Sequence, residues 1–111
     1  MENESFLRFL GIGARAGKLV YGAQGVDGAI KKGKAKLVVV DAAASDNTKK
    51  EVKDACTYYH VKLIVLSEAG TLGKSLNKPN NKIIGIVSPE FAKSALDKYN
   101  ATSGGEIIEQ N

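Results

Sequence analysis

The residues of this 111-residue chain whose types could support covalent, metal or phosphate chemistry are few: one histidine, one cysteine and a run of glycines. Cys56 has no second cysteine with which to form an internal disulfide, and no soft metal ligand stands near it in sequence. Its spacing from Val52 and Tyr59 places it on the apolar face of a helix, which predicts a buried packing role. His60 falls where that helix should end, and there an imidazole meets the negative end of the helix dipole. One His and one Cys do not assemble into a nucleophile and base with an orienting third group, so acyl or phosphoryl transfer through such a set is not predicted. The run Gly11-Ile12-Gly13-Ala14-Arg15-Ala16-Gly17 departs from the dinucleotide pattern Gly-x-Gly-x-x-Gly because its third glycine comes one residue late and no strand precedes it. No Walker-type lysine loop is present. The sequence therefore predicts a chain that is not an enzyme and holds no cofactor or metal.

What remains is charge. Lys and Arg outnumber Asp and Glu by 16 to 12, giving +4 and a pI near 9.2. Between positions 15 and 36 stand Arg15, Lys18, Lys31, Lys32, Lys34 and Lys36, with Asp27 as the single acid. Clustered positive charge raises the local potential and favours a polyanion, although charge alone does not separate RNA from DNA or from an anionic membrane. The longest apolar runs are about five residues, against the roughly 20 that cross a bilayer. No charged-then-apolar leader opens the chain. A cytoplasmic protein without a membrane partner is expected.

The elements that must position these groups follow from periodicity. Phe6, Leu7, Phe9, Leu10 and Ile12 recur at helical spacing after Ser5, which predicts a helix over residues 5–16 that Gly17 stops. A second helix is predicted over 23–32, with Val26, Ala29 and Ile30 inward and Gly33 as its C-terminal cap. Lys36-Leu37-Val38-Val39-Val40 reads as a strand covered on both faces. A third helix, capped by Ser45 or Asp46, runs to about 59, and 61–66 repeats the buried-strand composition. A short helix over 71–76 leads through the turn Asn77-Lys78-Pro79-Asn80-Asn81 to a strand over 83–87. Ser88, Pro89 and Glu90 give a cap, a first-turn proline and a first-turn acid, so a last helix starts there. Helices alternating with apolar strands predict one three-layer α/β/α domain. Residues 101–111 read as a loosely ordered tail, with an edge strand at Ile107 and Ile108 as the alternative.

These segments, in this order, resemble the kink-turn-binding ribosomal protein family. The resemblance rests on Arg15-Ala16-Gly17-Lys18-Leu19-Val20-Tyr21-Gly22, on Lys32-Gly33-Lys34-Ala35-Lys36 and on Asp46-Asn47-Thr48-Lys49-Lys50. It continues through Cys56-Thr57-Tyr58-Tyr59 and Leu72-Gly73-Lys74-Ser75-Leu76. It covers about residues 5–99 and is nearest to the bacterial YlxQ-type branch. It implies an α/β/α sandwich with a four-stranded mixed sheet over residues 1–100, and a non-catalytic role in binding RNA bends built on sheared G·A pairs, in a ribosomal or translational setting. The family's Gly-x-Asn-Glu signature falls on Gly22, Ala23, Gln24 and Gly25. Gly22 fits the pattern, Gln24 keeps an amide, and Gly25 stands where the family has a carboxylate. Gly28 stands where the family often has Lys, and Lys32 keeps a basic residue one turn on. The family's loop over the flipped-out nucleotide falls on Leu66, Ser67, Glu68 and Ala69, with Leu66 in the stacking role.

The implied mechanism has a physical basis. Amides at the start of the second helix, backed by its dipole, meet phosphate or base acceptors. Gly22 and Gly25, lacking Cβ, let a nucleic-acid strand approach the backbone. Arg15, Lys18, Lys31 and Lys32, near in sequence, would neutralise phosphates. A monomer binding a kinked or bulged RNA helix is expected. The alternative is a ribosome-associated protein-interaction factor in which the glycines at 25 and 28 mark an eroded RNA site.

Overall fold

The structure, a computed structural model, describes residues 4–102 and 105–108. Its elements run α1 (Glu4–Arg15), β1 (Leu19–Tyr21), α2 (Gly22–Lys31), β2 (Leu37–Val40), α3 (Asp46–Tyr59), β3 (Lys62–Leu66), α4 (Thr71–Ser75), β4 (Ile83–Ile86), α5 (Pro89–Thr102) and β5 (Gly105–Ile108). The strands form one mixed sheet in the order β1-β4-β2-β3-β5. Among the described strands only β2 and β3 pair in parallel, and α3 supplies the crossover that parallel neighbours need. β4 lies antiparallel to both β1 and β2, and β5 is antiparallel to β3.

The predicted three-layer α/β fold is the observed one, and β1 to β4 supply the four strands expected. Two features go beyond the expectation. β1 is three residues long, too short to carry a periodic signal, and is defined by its pairing with β4. Part of the segment expected as a loose tail is instead β5, the edge-strand alternative, which pairs residues 105–108 with 63–66.

Alternation along the strands divides the core. Leu37 and Val39 of β2 turn to the face covered by α1, α4 and α5, where Phe6, Leu10, Leu72, Ala95 and Tyr99 are buried. Val38 and Val40 turn to the other face, against Val26 and Ile30 of α2 and Val52 and Cys56 of α3. All four β2 residues are buried for this reason, each contributing about 1.5–3 kcal/mol by leaving water. Caps fix the helix ends: Ser45 Oγ accepts from the Thr48 amide at 3.1 Å, and Ser88 Oγ accepts from Phe91 N–H at 3.3 Å. At the end of α2, Gly33 takes a positive φ of 73°, and Lys34 N–H donates to the Ala29 carbonyl at 2.8 Å. The end of α3 departs from the glycine pattern, since His60 itself adopts the left-handed conformation with φ 60°. Ile12 also departs from its expected inward place: it is 50% exposed, because α1 buries the stripe through Phe6, Leu7 and Leu10 and residue 12 falls outside it.

Candidate functional site

Strand register sorts the candidate residues between two ends of the sheet. Tyr21 pairs with Ile84, Val40 with both Ile83 and Val65, and Asp41 N–H donates to the Lys82 carbonyl at 2.8 Å. The start of α2, residues 67–70 after β3 and the turn before β4 therefore share one end, here called the tip. Leu19 pairs with Ile86, Leu37 with both Ile86 and Lys62, and Val87 N–H donates to the Lys18 carbonyl. These residues define the opposite end, the base, where α2 and α3 finish.

At the tip, the chain leaves β1 and enters α2 through Gly22, whose φ of 79° is one that L side chains rarely adopt. Tyr21 occupies the N-cap position and no side chain caps the helix, so its leading amides face outward without a side-chain acceptor. Ala23, Gln24 and Gly25 are exposed and Gly22 is half-buried. A Cβ placed on Gly22, Gly25 or Gly28 would meet nothing within 4 Å, so the surface over this helical turn is open. Beside it, a cleft of about 300 Å³ between α2 and α3 is lined by Gln24, Asp27, Thr48 and Glu51 above Val26 and Val52.

The second part of the tip is the loop after β3. Ser67, Glu68 and Ala69 are exposed there. Leu66 is not: at 2% exposure it belongs to the core beneath α4, so the expected stacking role is corrected. As the last residue of β3 it follows strand alternation, which turns it inward with Ile64.

The loop is held by a residue that sequence reading missed. Asp41 is the one buried charged side chain among the described residues, at 1% exposure. Its Oδ2 accepts from the amides of Ala43 and Gly70, both at 2.8 Å, and its Oδ1 accepts from Leu72 N–H at 3.0 Å. One carboxylate thus ties the end of β2 to the entry of α4, which Gly70 reaches with φ 85°. The available signal was a lone acid between an apolar strand and a run of alanines, Asp41-Ala42-Ala43-Ala44.

The cations are distributed differently from the expectation. Arg15, Lys18, Lys31 and Lys32 do not surround the tip. The chain climbs β1, turns at Gly22 and descends α2, so residues flanking that excursion meet at the base. The 10-residue helix α2 puts about 15 Å between its two ends. Lys31 is also paired with Asp27 at 2.9 Å, and that hydrogen bond and charge hold its pKa above the ordinary lysine range. The cations near the tip are instead Lys78, whose ammonium lies 4.9 Å from the Tyr21 ring centroid, and the exposed Lys82. Both follow from the turn before β4, which sequence reading treated only as a connection. Lys49, at the start of α3, is engaged by the Ala42 carbonyl at 2.7 Å. Glu68 opposes these charges within the loop.

Groups that could support catalysis are placed elsewhere. Cys56 is fully buried, and burial pushes its thiol up to about 12, so it stays protonated and unreactive near neutral pH. Among the described residues, no group of three His, Cys, Asp or Glu side chains could hold a metal, and no helix is long and apolar enough to cross a membrane.

The described residues form an α/β/α sandwich of five helices on a mixed sheet, with an uncapped glycine-flanked helix start beside a tethered loop at one end of the sheet. The chain belongs to the ribosomal protein L7Ae/L30e/S12e/Gadd45 family, whose sequence pattern matches residues 8–96. It is 40% identical over 91 residues to the RNA-binding protein YlxQ of Enterococcus faecium, covering 82% of this chain and 87% of that one. To the RNA-binding protein YlxQ of Bacillus subtilis it is 32% identical over 96 residues, with 86% and 96% covered. Among solved structures, a protein of unknown function from Bacillus halodurans superposes with a TM-score of 0.80 at 28% identity, covering 86% of this chain and 96% of that one. The Giardia lamblia 15.5kD RNA binding protein shares the fold with a TM-score of 0.72 at 21% identity, with 91% and 90% covered.

Proposed function

We propose that this chain is a non-catalytic cytoplasmic protein that binds structured RNA, with a kinked or bulged helix as its ligand, in a ribosomal or translational setting. The observation that carries this reading is the tip itself. The uncapped amides of α2, bare of Cβ at Gly22 and Gly25, stand at the same end of the sheet as Ser67, Glu68 and Ala69 and the cations Lys78 and Lys82. The names of its relatives support RNA as the partner class. In this reading the backbone amides and the Gln24 amide meet phosphate and base-edge acceptors, while Lys78 and Lys82 neutralise phosphates that flank the bend.

Titration of a kink-turn hairpin against a straight duplex of equal length tests the proposal. The hairpin should bind more tightly, its affinity should fall steeply with salt, and Gln24→Ala should weaken it. Equal affinity for the two RNAs would overturn shape recognition.

The second reading, a protein-interaction factor on an eroded RNA site, draws on Gly25 and Gly28, which leave a bare helical surface. Gly25→Glu combined with Gly28→Lys separates the two. Both positions are open, so the fold should tolerate the changes. A marked rise in kink-turn affinity would indicate erosion, and an unchanged value would argue against loss at those positions.

A further inference from the structure

The base collects the basic residues that the tip does not use, and it carries aromatic rings that the core does not use. Tyr58 is 76% exposed and Tyr59 is 40% exposed, two of the three large apolar side chains left open to solvent among the described residues. Their rings meet edge to face, with centroids 4.8 Å apart and planes at 71°. Beside them lies an open cleft of about 420 Å³ where the ends of α2 and α3 meet the start of β3, lined by Lys31, Lys32, Lys36, Tyr59 and His60. Lys34 is exposed on the connection that closes this cleft. Lys36 Nζ is anchored on the Gly33 carbonyl at 2.9 Å, which holds that connection against the cleft wall. Lys18 and Lys36 flank the same stretch of β4, two strand spacings or about 10 Å apart, and extend the positive surface along the sheet end.

A solvated lysine face accounts for the charge but not for two adjacent exposed tyrosines beside it. Tyrosines also serve protein interfaces, so an acidic protein surface is the competing outcome that the test below separates. Unpaired nucleotides present both complements: a phosphate backbone for the cations and base faces for the rings.

We propose that the base is a second nucleic-acid contact, a platform on which an unpaired RNA strand lays one or two bases against Tyr58 and Tyr59 while Lys32 and Lys34 follow its phosphates, with Lys36 held beside them by the Gly33 carbonyl. It goes beyond the kinked-helix reading and does not depend on it. The tip and the base are separated by the length of α2, so each can be changed while the other is left intact.

The test titrates the full chain with fluorescein-labelled decauridylate and, separately, with the kink-turn hairpin. Decauridylate should bind and quench tyrosine emission, since the chain has no tryptophan to mask that signal. Tyr58→Ala should weaken decauridylate binding about tenfold, and Tyr58→Phe, which keeps the ring, should restore it. Lys32→Ala with Lys34→Ala should reduce the salt slope for the oligonucleotide by about 1.4. Tyr58→Ala should leave the hairpin affinity unchanged, and Gln24→Ala should leave decauridylate binding unchanged. Failure of the hairpin to bind while decauridylate does would reject the tip reading and leave this one standing. The platform is overturned if decauridylate does not bind, if Tyr58→Ala binds it as the parent does, or if polyglutamate of equal length competes as well as the oligonucleotide.

Discussion

Replacing Asp41 by asparagine barely changes the size of the side chain but removes a charge and an acceptor from a carboxylate that is 1% exposed. The carboxylate accepts three backbone N–H bonds, two on Oδ2 and one on Oδ1. An asparagine has one acceptor oxygen. Placed toward Ala43 and Gly70, it keeps two bonds but turns its NH₂ against Leu72 N–H, leaving a buried donor facing a donor. That unmade bond costs about 1–3 kcal/mol, and the two survivors fall from charge-assisted to neutral strength, a loss of about 1 kcal/mol each. The sum is about 3–5 kcal/mol, a large share of the 5–15 kcal/mol typical of a small domain. With a urea slope of about 2 kcal/mol per molar, the unfolding midpoint followed by far-ultraviolet circular dichroism should drop by about 1.5–2.5 M. Amide exchange should locate the damage, with Gly70 and Leu72 losing protection before the centre of β2. A drop below about 0.5 M with unchanged exchange at Gly70 and Leu72 would refute the claim that this carboxylate holds the loop.

Three further outcomes follow from the same geometry. Gly22→Ala forces a side chain into a left-handed conformation with φ 79° and should cost about 1–2 kcal/mol, measured by urea unfolding, while also weakening hairpin binding. Gly73→Ala would place a Cβ 2.6 Å from the Lys78 carbonyl and 3.0 Å from those of Asn81 and Pro79, so the turn bearing Lys78 must shift; a loss of about 1–3 kcal/mol and displaced Lys78 and Tyr21 resonances in NMR spectra are expected. The raised pKa of Cys56 favours the folded, protonated thiol, so its contribution is complete below about pH 9 and is lost as pH rises toward about 12. The stability difference between the parent and Cys56→Ala should therefore shift against the parent by up to about 1.4 kcal/mol per pH unit above 9, and a difference constant from pH 8 to 11 would contradict it.

The contrast between what the sequence disclosed and what it concealed has a physical pattern. Long periodic segments such as 46–59, and doubly covered strands such as Leu37–Val40, state their own structure because burial imposes a repeat. β1 conceals itself because three residues carry no repeat, and its existence depends on the distant partner β4. The glycine-flanked start of α2 at residues 22–25 was legible from local glycine chemistry. The placement of Arg15, Lys18, Lys31 and Lys32 was not, since proximity in sequence becomes separation in space once the chain doubles back at Gly22. Asp41 escaped notice because its role is written in backbone amides 29 and 31 residues away. The apolar character of Leu66 suits a contact surface and a core equally well, and the core is where it lies.

The pairing of β5 with β3 has a consequence for how copies of the chain meet. Without residues 105–108, the row of backbone donors and acceptors along 63–66 would lie open on an apolar strand, a template for adding a stranger's chain. The chain supplies its own last rung instead. The opposite margin of the sheet is left to β1, whose three residues offer too short a seam for another molecule to zip onto.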